Sequence, residues 1–153
     1  MDLILWRHAE AHDPEGAQDD LERPLTAKGE RQAHRLAVWL NRQLPASTKV
    51  LASPARRCQQ TVTALDRKFK TTTALAPDAG VEALLSAVRW PDAREPVLVV
   101  GHQPTLGLAA AYLLSGQAQA WAVRKGGLWW LRARERDGHL QVVLHAVMAA
   151  ELL

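Results

Sequence analysis

Apolar residues along this chain occur in short unbroken runs that alternate with helical periods. Residues 3–6 (LILW) form the first run, which is typical of a strand covered on both faces. Thr26 then stands where a helix N-cap is expected. A helix should follow it, because apolar side chains recur with a helical period up to Pro45, at Ala33, Leu36, Ala37, Leu40 and Leu44.

The same alternation continues through the middle of the chain. Residues 49–52 (KVLA) and 96–100 (PVLVV) read as buried strands, and residues 78–89 as a short helix. After the second strand, Ser53 is placed to cap a helix whose first position would be Pro54. Another helix is expected to begin near Pro104 and Thr105, directly after residues 96–100.

The last third of the chain has a different pattern. Residues 128–135 and 140–147 read as strands, and the Asp137-Gly138 pair between them is a hairpin signal. Alternating strands and helices followed by a hairpin predict an α/β fold. We expect a three-layer sandwich with a largely parallel sheet, helices on both faces and a C-terminal antiparallel hairpin, formed by residues 1–153 as a single domain.

Three of the predicted strands are followed by arginine or histidine residues. The first leads into Arg7 and His8, the second into a segment that contains Arg57, and residues 96–100 into Gly101 and His102. Ligands of open α/β sheets bind at the carboxyl ends of the strands, so these side chains should meet if the strands are neighbours. Arginines and helix N-termini around one cavity predict a phosphate site.

Two histidines in an anion site indicate more than binding. A neutral imidazole is a competent nucleophile near neutral pH, and a second imidazole can donate hydrogen bonds to the oxygens of a transferring group. Attack by a histidine on phosphorus would form a phosphohistidine that water then hydrolyses. The surrounding cations would stabilise the charge on the equatorial oxygens.

Composition narrows the range of partners. The formal net charge of +3 is too weak, and its cations too mixed with acids, to predict nucleic-acid binding. No apolar run is long enough to cross a bilayer, and the first residues lack the pattern of a signal peptide. Cys58 is the only cysteine, which excludes an internal disulfide. We therefore expect a cytoplasmic protein without membrane contact, and composition makes no prediction of its oligomeric state.

Four stretches of sequence carry a resemblance to a known family. RHAEAH, RPLTAKGERQA, SPARRCQQT and VVGHQPT resemble the ordered motifs of the histidine phosphatase superfamily, and the short chain with its ERPLT is most similar to SixA-type phosphohistidine phosphatases. The resemblance implies that His8 is the nucleophile and His102 the second histidine. It implies that Arg7 and Arg57 bind phosphate and that Arg23 is a further ligand.

The chain also departs from the family pattern. Ala9 replaces the usual glycine after Arg-His, and Gln103 stands where larger members have aspartate. Glu82 is the candidate proton donor by position alone. A phosphoester needs a proton on its leaving alcohol, whereas a P–N bond to imidazole breaks readily once that nitrogen is protonated. The site therefore suits phosphohistidine better than a sugar phosphate.

Several alternatives remain open from the sequence. The substrate is expected to be phosphohistidine in a partner protein, but a small phosphate ester acted on by a general phosphomonoesterase is the alternative. A non-catalytic module that binds a phosphorylated residue is a third. We expect no cofactor and no metal, since His8 and His12 lie across a strand end without a carboxylate or cysteine cluster. Arg56 competes with Arg57 for the phosphate, and the motif spacing favours Arg57.

Overall fold

A six-stranded mixed sheet forms the centre of the molecule in the computed structural model, which describes residues 1–153. The spatial order is β3-β2-β4-β1-β5-β6. The first four strands in this order are parallel, and β5 and β6 run antiparallel as a hairpin at one edge. The strands are β1 (Asp2–Arg7), β2 (Lys49–Ala52), β3 (Lys70–Thr71), β4 (Val97–Gly101), β5 (Leu128–Arg136) and β6 (His139–Met148).

Four helices cover the two faces of this sheet, which confirms the predicted three-layer α/β architecture. They are α1 (Ala27–Gln43), α2 (Arg56–Thr63), α3 (Val81–Ala87) and α4 (Thr105–Ser115). Helices α1 and α2 pack against Ile4 and Trp6 on one face. Helices α3 and α4 pack against Leu3 and Leu5 on the other, so alternate residues of β1 feed two separate cores.

The capping signals in the sequence predict the start of α1 correctly and the start of α2 incorrectly. Thr26 caps α1 as expected, since its hydroxyl accepts a hydrogen bond from the Gly29 amide at 3.0 Å. The predicted cap of α2 at Ser53 is wrong. That helix begins at Arg56, with Ala55 as its N-cap residue, and Ser53 lies in the turn before it. The short strand β3 carried no signal in the sequence pattern.

Parallel pairing brings the predicted functional segments to one edge of the sheet. Strand β4 lies between β1 and β2, so Arg7 is level with Gly101 and Ala52 with Val100. Three strand ends are therefore neighbours, and the residues that follow them share one rim. No helix of the structure has the length and apolar character to cross a membrane.

Candidate active site

The two histidines predicted from the sequence lie side by side at this rim. The ring centroids of His8 and His102 are 5.3 Å apart, and both residues are buried. The main chain of His8 is held on both sides: its amide donates to the Gly101 carbonyl and its carbonyl accepts from the Gly126 amide. His8 therefore has little freedom to leave the position in which it faces His102.

One ring nitrogen of His8 is committed to the backbone. Nδ1 lies 2.8 Å from the Ala9 carbonyl oxygen, which only accepts, so Nδ1 carries the proton and Nε2 keeps its lone pair. Burial, together with the positive charges of Arg57, Arg7 and Arg23, lowers the pKa of His8 to about 4, against the opposing effect of its bond to Ala9. The ring is neutral near pH 7, as a nucleophile requires.

His102 is fixed by two side chains. Nε2 lies 2.8 Å from the Ser53 hydroxyl, and Nδ1 lies 3.4 Å from Nη2 of Arg57. A guanidinium can only donate, so Nδ1 accepts and Nε2 donates to Ser53. Burial, then the charges of Arg57 and His8, lowers the pKa of His102 to about 3.

The arginines complete a cationic cavity of about 200 Å³. Its lining includes Arg7, Arg23 and Arg57 together with both histidines. Nη1 of Arg7 donates to the Val123 carbonyl at 2.9 Å, whereas Nε of Arg7 and Nε of Arg57 are buried donors without a protein partner. Three guanidinium groups and two imidazoles around one cavity suit it to an anion.

Arg56 and Arg57 occupy different environments. Arg57 is buried and lines the cavity, and Arg56 is exposed at the start of α2. The structure thus places Arg57, which the motif spacing favoured, in the cavity beside the two histidines, and it leaves Arg56 in solvent.

The carboxylates differ from the expectation. Glu82 is exposed on α3 and does not line the cavity. Gln103 lines it, but both ends of its amide are bonded: Nε2 donates to the Trp121 carbonyl and Oε1 accepts from the Gly107 amide, each at 2.8 Å. Asp13, which the sequence did not single out, is the one carboxylate among the lining residues.

The turn after His8 is shaped by tight packing. A Cβ atom added to Gly29 would overlap the Glu10 carbonyl oxygen, so glycine lets the start of α1 approach the segment that follows His8. Ala9 is fully buried among Leu25 and Ala33, and its amide donates to the Thr61 hydroxyl at 3.0 Å. The methyl group at the position where the family usually has glycine is thus accommodated in a small apolar cluster.

Other cavities and clusters lack this chemistry. A groove of about 870 Å³ at the start of β2 is lined by Lys49, Arg67, Lys68 and Lys70 without any histidine. The structure contains no group of three or more His, Cys, Asp or Glu residues placed to hold a metal ion. The strand-end cavity is the place where nucleophilic and anion-binding groups meet.

Comparison with known proteins agrees with this geometry. The family model of the histidine phosphatase superfamily (branch 1) matches residues 3–82, which include His8, Arg23 and Arg57. The chain belongs to the histidine phosphatase superfamily.

Individual relatives of the superfamily extend the comparison. An uncharacterized protein of Mycobacterium tuberculosis is 36% identical over 111 residues, covering 71% of this chain and 70% of the relative. Phosphohistidine phosphatase SixA of Escherichia coli K12 is 32% identical over 125 residues, covering 76% of each. Both alignments are longer than the segment that the family model matches.

A solved structure from the superfamily has the same fold. It is the protein histidine phosphatase SixA complexed with tungstate, which superposes with a TM-score of 0.76 at 24% identity and covers 99% of both chains. Membership of the superfamily supports a phosphatase activity for this chain, and the SixA-like neighbours agree with the predicted fold. The structure places His8, His102 and the three arginines around one cavity.

Proposed function

We propose that this chain is a phosphatase that acts through a phosphohistidine intermediate on His8, and that its substrate is phosphohistidine in another protein. One observation carries the proposal. His8 is neutral, donates from Nδ1 to the Ala9 carbonyl, and so keeps a lone pair on Nε2 within a cavity lined by His102 and three arginines.

The reaction takes place in two displacements. His8 Nε2 attacks phosphorus and the bond from phosphorus to the substrate nitrogen breaks. The substrate imidazole leaves as a neutral group because its other ring nitrogen already carries a proton. Water then attacks phosphorus, the P–Nε2 bond breaks, and inorganic phosphate leaves with the proton that water gives up. Arg7 and Arg57, with His102 beside them, stabilise the charge on the equatorial oxygens in both steps.

The size of the cavity supports a protein substrate. Its volume of about 200 Å³ is small beside the roughly 300–1,000 Å³ of pockets that enclose whole small molecules. A phosphoryl group fits, while the rest of the substrate stays outside. A phosphorylated side chain that projects from a protein surface has this shape.

The decisive experiment compares His8→Ala with the parent and with His34→Ala, a change at an exposed histidine of α1. The parent and His34→Ala are expected to hydrolyse phosphohistidine peptide and to carry an acid-labile phosphoryl group after rapid quenching. His8→Ala is expected to lose both while remaining folded. Turnover by His8→Ala at the parent rate would disprove the mechanism, and phosphate binding by a parent without turnover would identify a binding module instead.

A phosphomonoesterase acting on small phosphate esters is the second candidate, and Asp13 is the observation that favours it. This exposed carboxylate lines the cavity, where a protonated acid could donate to a leaving alcohol. A panel of phosphohistidine peptide, sugar phosphates and nucleotides separates the two candidates. A strong preference for sugar phosphates would favour the second.

A further inference from the structure

Asp20 contacts two of the arginines that line the cavity. Its carbonyl oxygen accepts from Nη1 of Arg57 at 2.8 Å, and its carboxylate oxygen Oδ2 accepts from Nη2 of Arg57 at 3.1 Å. The other carboxylate oxygen, Oδ1, accepts from Nε of Arg23 at 2.9 Å. A single residue thus binds three guanidinium nitrogens, which belong to side chains 34 residues apart along the chain.

The position of Asp20 relative to the cavity is informative. Arg23 and Arg57 line the cavity and Asp20 does not, so its oxygens hold the guanidinium groups from outside. The contacts leave Nε of Arg57 without a protein partner. The bonds from Asp20 therefore orient Arg57 through its two Nη atoms and Arg23 through its Nε atom.

The negative charge of Asp20 also reduces the repulsion between Arg23 and Arg57. Two guanidinium groups held close together repel each other, and a carboxylate that bonds to both offsets this repulsion. Partial burial alone would raise the pKa of Asp20, but the hydrogen bond from Arg23 and the charge of Arg57 hold it below its usual value. The carboxylate is therefore ionised across the neutral pH range.

We propose that Asp20 is a positioning residue, which fixes Arg57 and Arg23 in the geometry that binds the phosphoryl group. The proposal rests on the proposed function in one respect: that these arginines contact phosphate. It assigns to the loop before α1 a role beyond supplying Arg23, because the same loop orders an arginine of α2.

Asp19 allows this role to be separated from a simple effect on the loop. The 3-10 turn Asp20–Glu22 is capped by Asp19, whose carboxylate accepts from the Leu21 amide at 3.0 Å. Asp19 contacts neither arginine through its side chain. Asp19→Asn therefore removes the same charge from the same turn, keeps an acceptor for the Leu21 amide, and leaves the contacts of Arg57 and Arg23 in place.

The test measures inorganic phosphate binding by calorimetry for the parent, Asp20→Asn and Asp19→Asn, with thermal unfolding as the control for folding. Loss of a charged hydrogen-bond acceptor should weaken phosphate binding by about tenfold in Asp20→Asn. Asp19→Asn should stay within about twofold of the parent. Equal losses in both variants would overturn the proposal, because the removal of a charge from this turn would then be responsible and not the contacts with Arg57 and Arg23.

The sign of the effect is also diagnostic. Removing a negative charge near an anion site would by itself strengthen phosphate binding. Tighter binding by Asp20→Asn would therefore show that Asp20 acts only through its charge, and would overturn the positioning role.

A double-variant cycle tests whether Asp20 acts through Arg23. The loss caused by Asp20→Asn should be smaller in an Arg23→Gln background than in the parent, since one of its two targets is already gone. Fully additive losses would contradict this route.

Calorimetry needs no turnover, so it separates the two proposals. A parent that binds phosphate without hydrolysing substrate would contradict the proposed function alone, and a parent that binds no phosphate would contradict both proposals.

Discussion

The cavity has two sides that are built differently. On one side, His8, His102 and Arg57 follow directly on strands or lie in a helix, and each is less than a tenth exposed. On the other side, Asp13 and Arg23 lie in the loop before α1, whose residues 12–22 are all exposed. The first side is part of the core, and the second rests on it through a few polar contacts.

This difference separates two tasks. Groups that must meet a transition state to within a fraction of an ångström are attached to the sheet, where packing fixes them before substrate arrives. Groups in the loop can rearrange at low cost, because few buried contacts hold them. We therefore expect changes on the core side to reduce catalysis and changes on the loop side to alter affinity or substrate preference.

The largest effect is expected from Arg57→Ala on the core side. Removing a preorganised donor to the transferring oxygens should lower kcat/KM by about a hundredfold to a thousandfold. Arg56→Ala, at the exposed neighbouring position, is the matched control and should change kcat/KM by less than about threefold. Comparable losses in both variants would contradict the separation of the two arginines.

The next effect is a dependence of stability on pH that comes from the core side. His8 and His102 have folded-state pKa values of about 4 and about 3, below the roughly 6.5 of an unfolded histidine, so the unfolded chain binds protons more readily. Their contribution is fully present above about pH 6.5 and is lost as the pH falls toward 4. A tenfold difference in proton affinity between the folded and unfolded chain corresponds to about 1.4 kcal/mol, so the free energy of unfolding should fall by several kcal/mol.

Urea unfolding between pH 7.5 and 5 measures this dependence. His8→Gln should give a shallower decline than the parent, and His34→Gln, on the surface of α1, should follow the parent. A parent whose stability is constant across this range would show that the two imidazoles do not resist protonation in the fold.

A smaller effect is expected from Arg23→Ala on the loop side. The side chain bonds to Asp20 and to the His12 carbonyl and keeps part of its surface in solvent, so its contact with a phosphoryl group is screened. We expect KM to rise about tenfold with kcat nearly unchanged, the signature of lost uniform binding. Arg31→Ala, on the exposed surface of α1, should leave both constants at the parent values. A loss of kcat as large as that of Arg57→Ala would remove the distinction between the two sides.

The smallest effect is expected from Asp13→Asn. Turnover of phosphohistidine peptide should change by less than about threefold, because a protonated imidazole leaves without an acid. Glu82→Gln, outside the cavity, provides the control. A loss of about a hundredfold or more would identify Asp13 as a general acid and favour the phosphomonoesterase.

The core side is also the side that the sequence predicts well. A continuous apolar run such as residues 97–100 can only be a buried strand or helix, and the side chain that follows it must then lie at a sheet edge. The positions of His8 and His102 were predicted in this way, whereas the motif spacing favoured Arg57 over Arg56. The order of the strands, which makes their ends neighbours, has no local signal because it depends on contacts between distant segments.

On the loop side, Arg23 was predicted from the motif, whereas Asp13 and the supporting contacts were missed. The contacts of Asp20 with Arg57 join positions 37 residues apart, and an exposed aspartate in an acidic loop resembles any solvated charge. Ser53 had a local signal, but for the wrong role: it preceded Pro54 like a helix cap and instead bonds to His102. Glu82 was a candidate by its place in the chain alone, and the structure places it outside the cavity.

Cys58 has a consequence for the chemical durability of the site. Its Sγ lies 3.5 Å from Nε2 of His102, it is fully buried, and burial raises the pKa of the thiol to about 12. Peroxide and alkylating agents attack thiolates that solvent can reach, and here neither condition is met. The site should thus tolerate oxidants that inactivate phosphatases with a cysteine nucleophile, and Cys58 should react only when the chain unfolds.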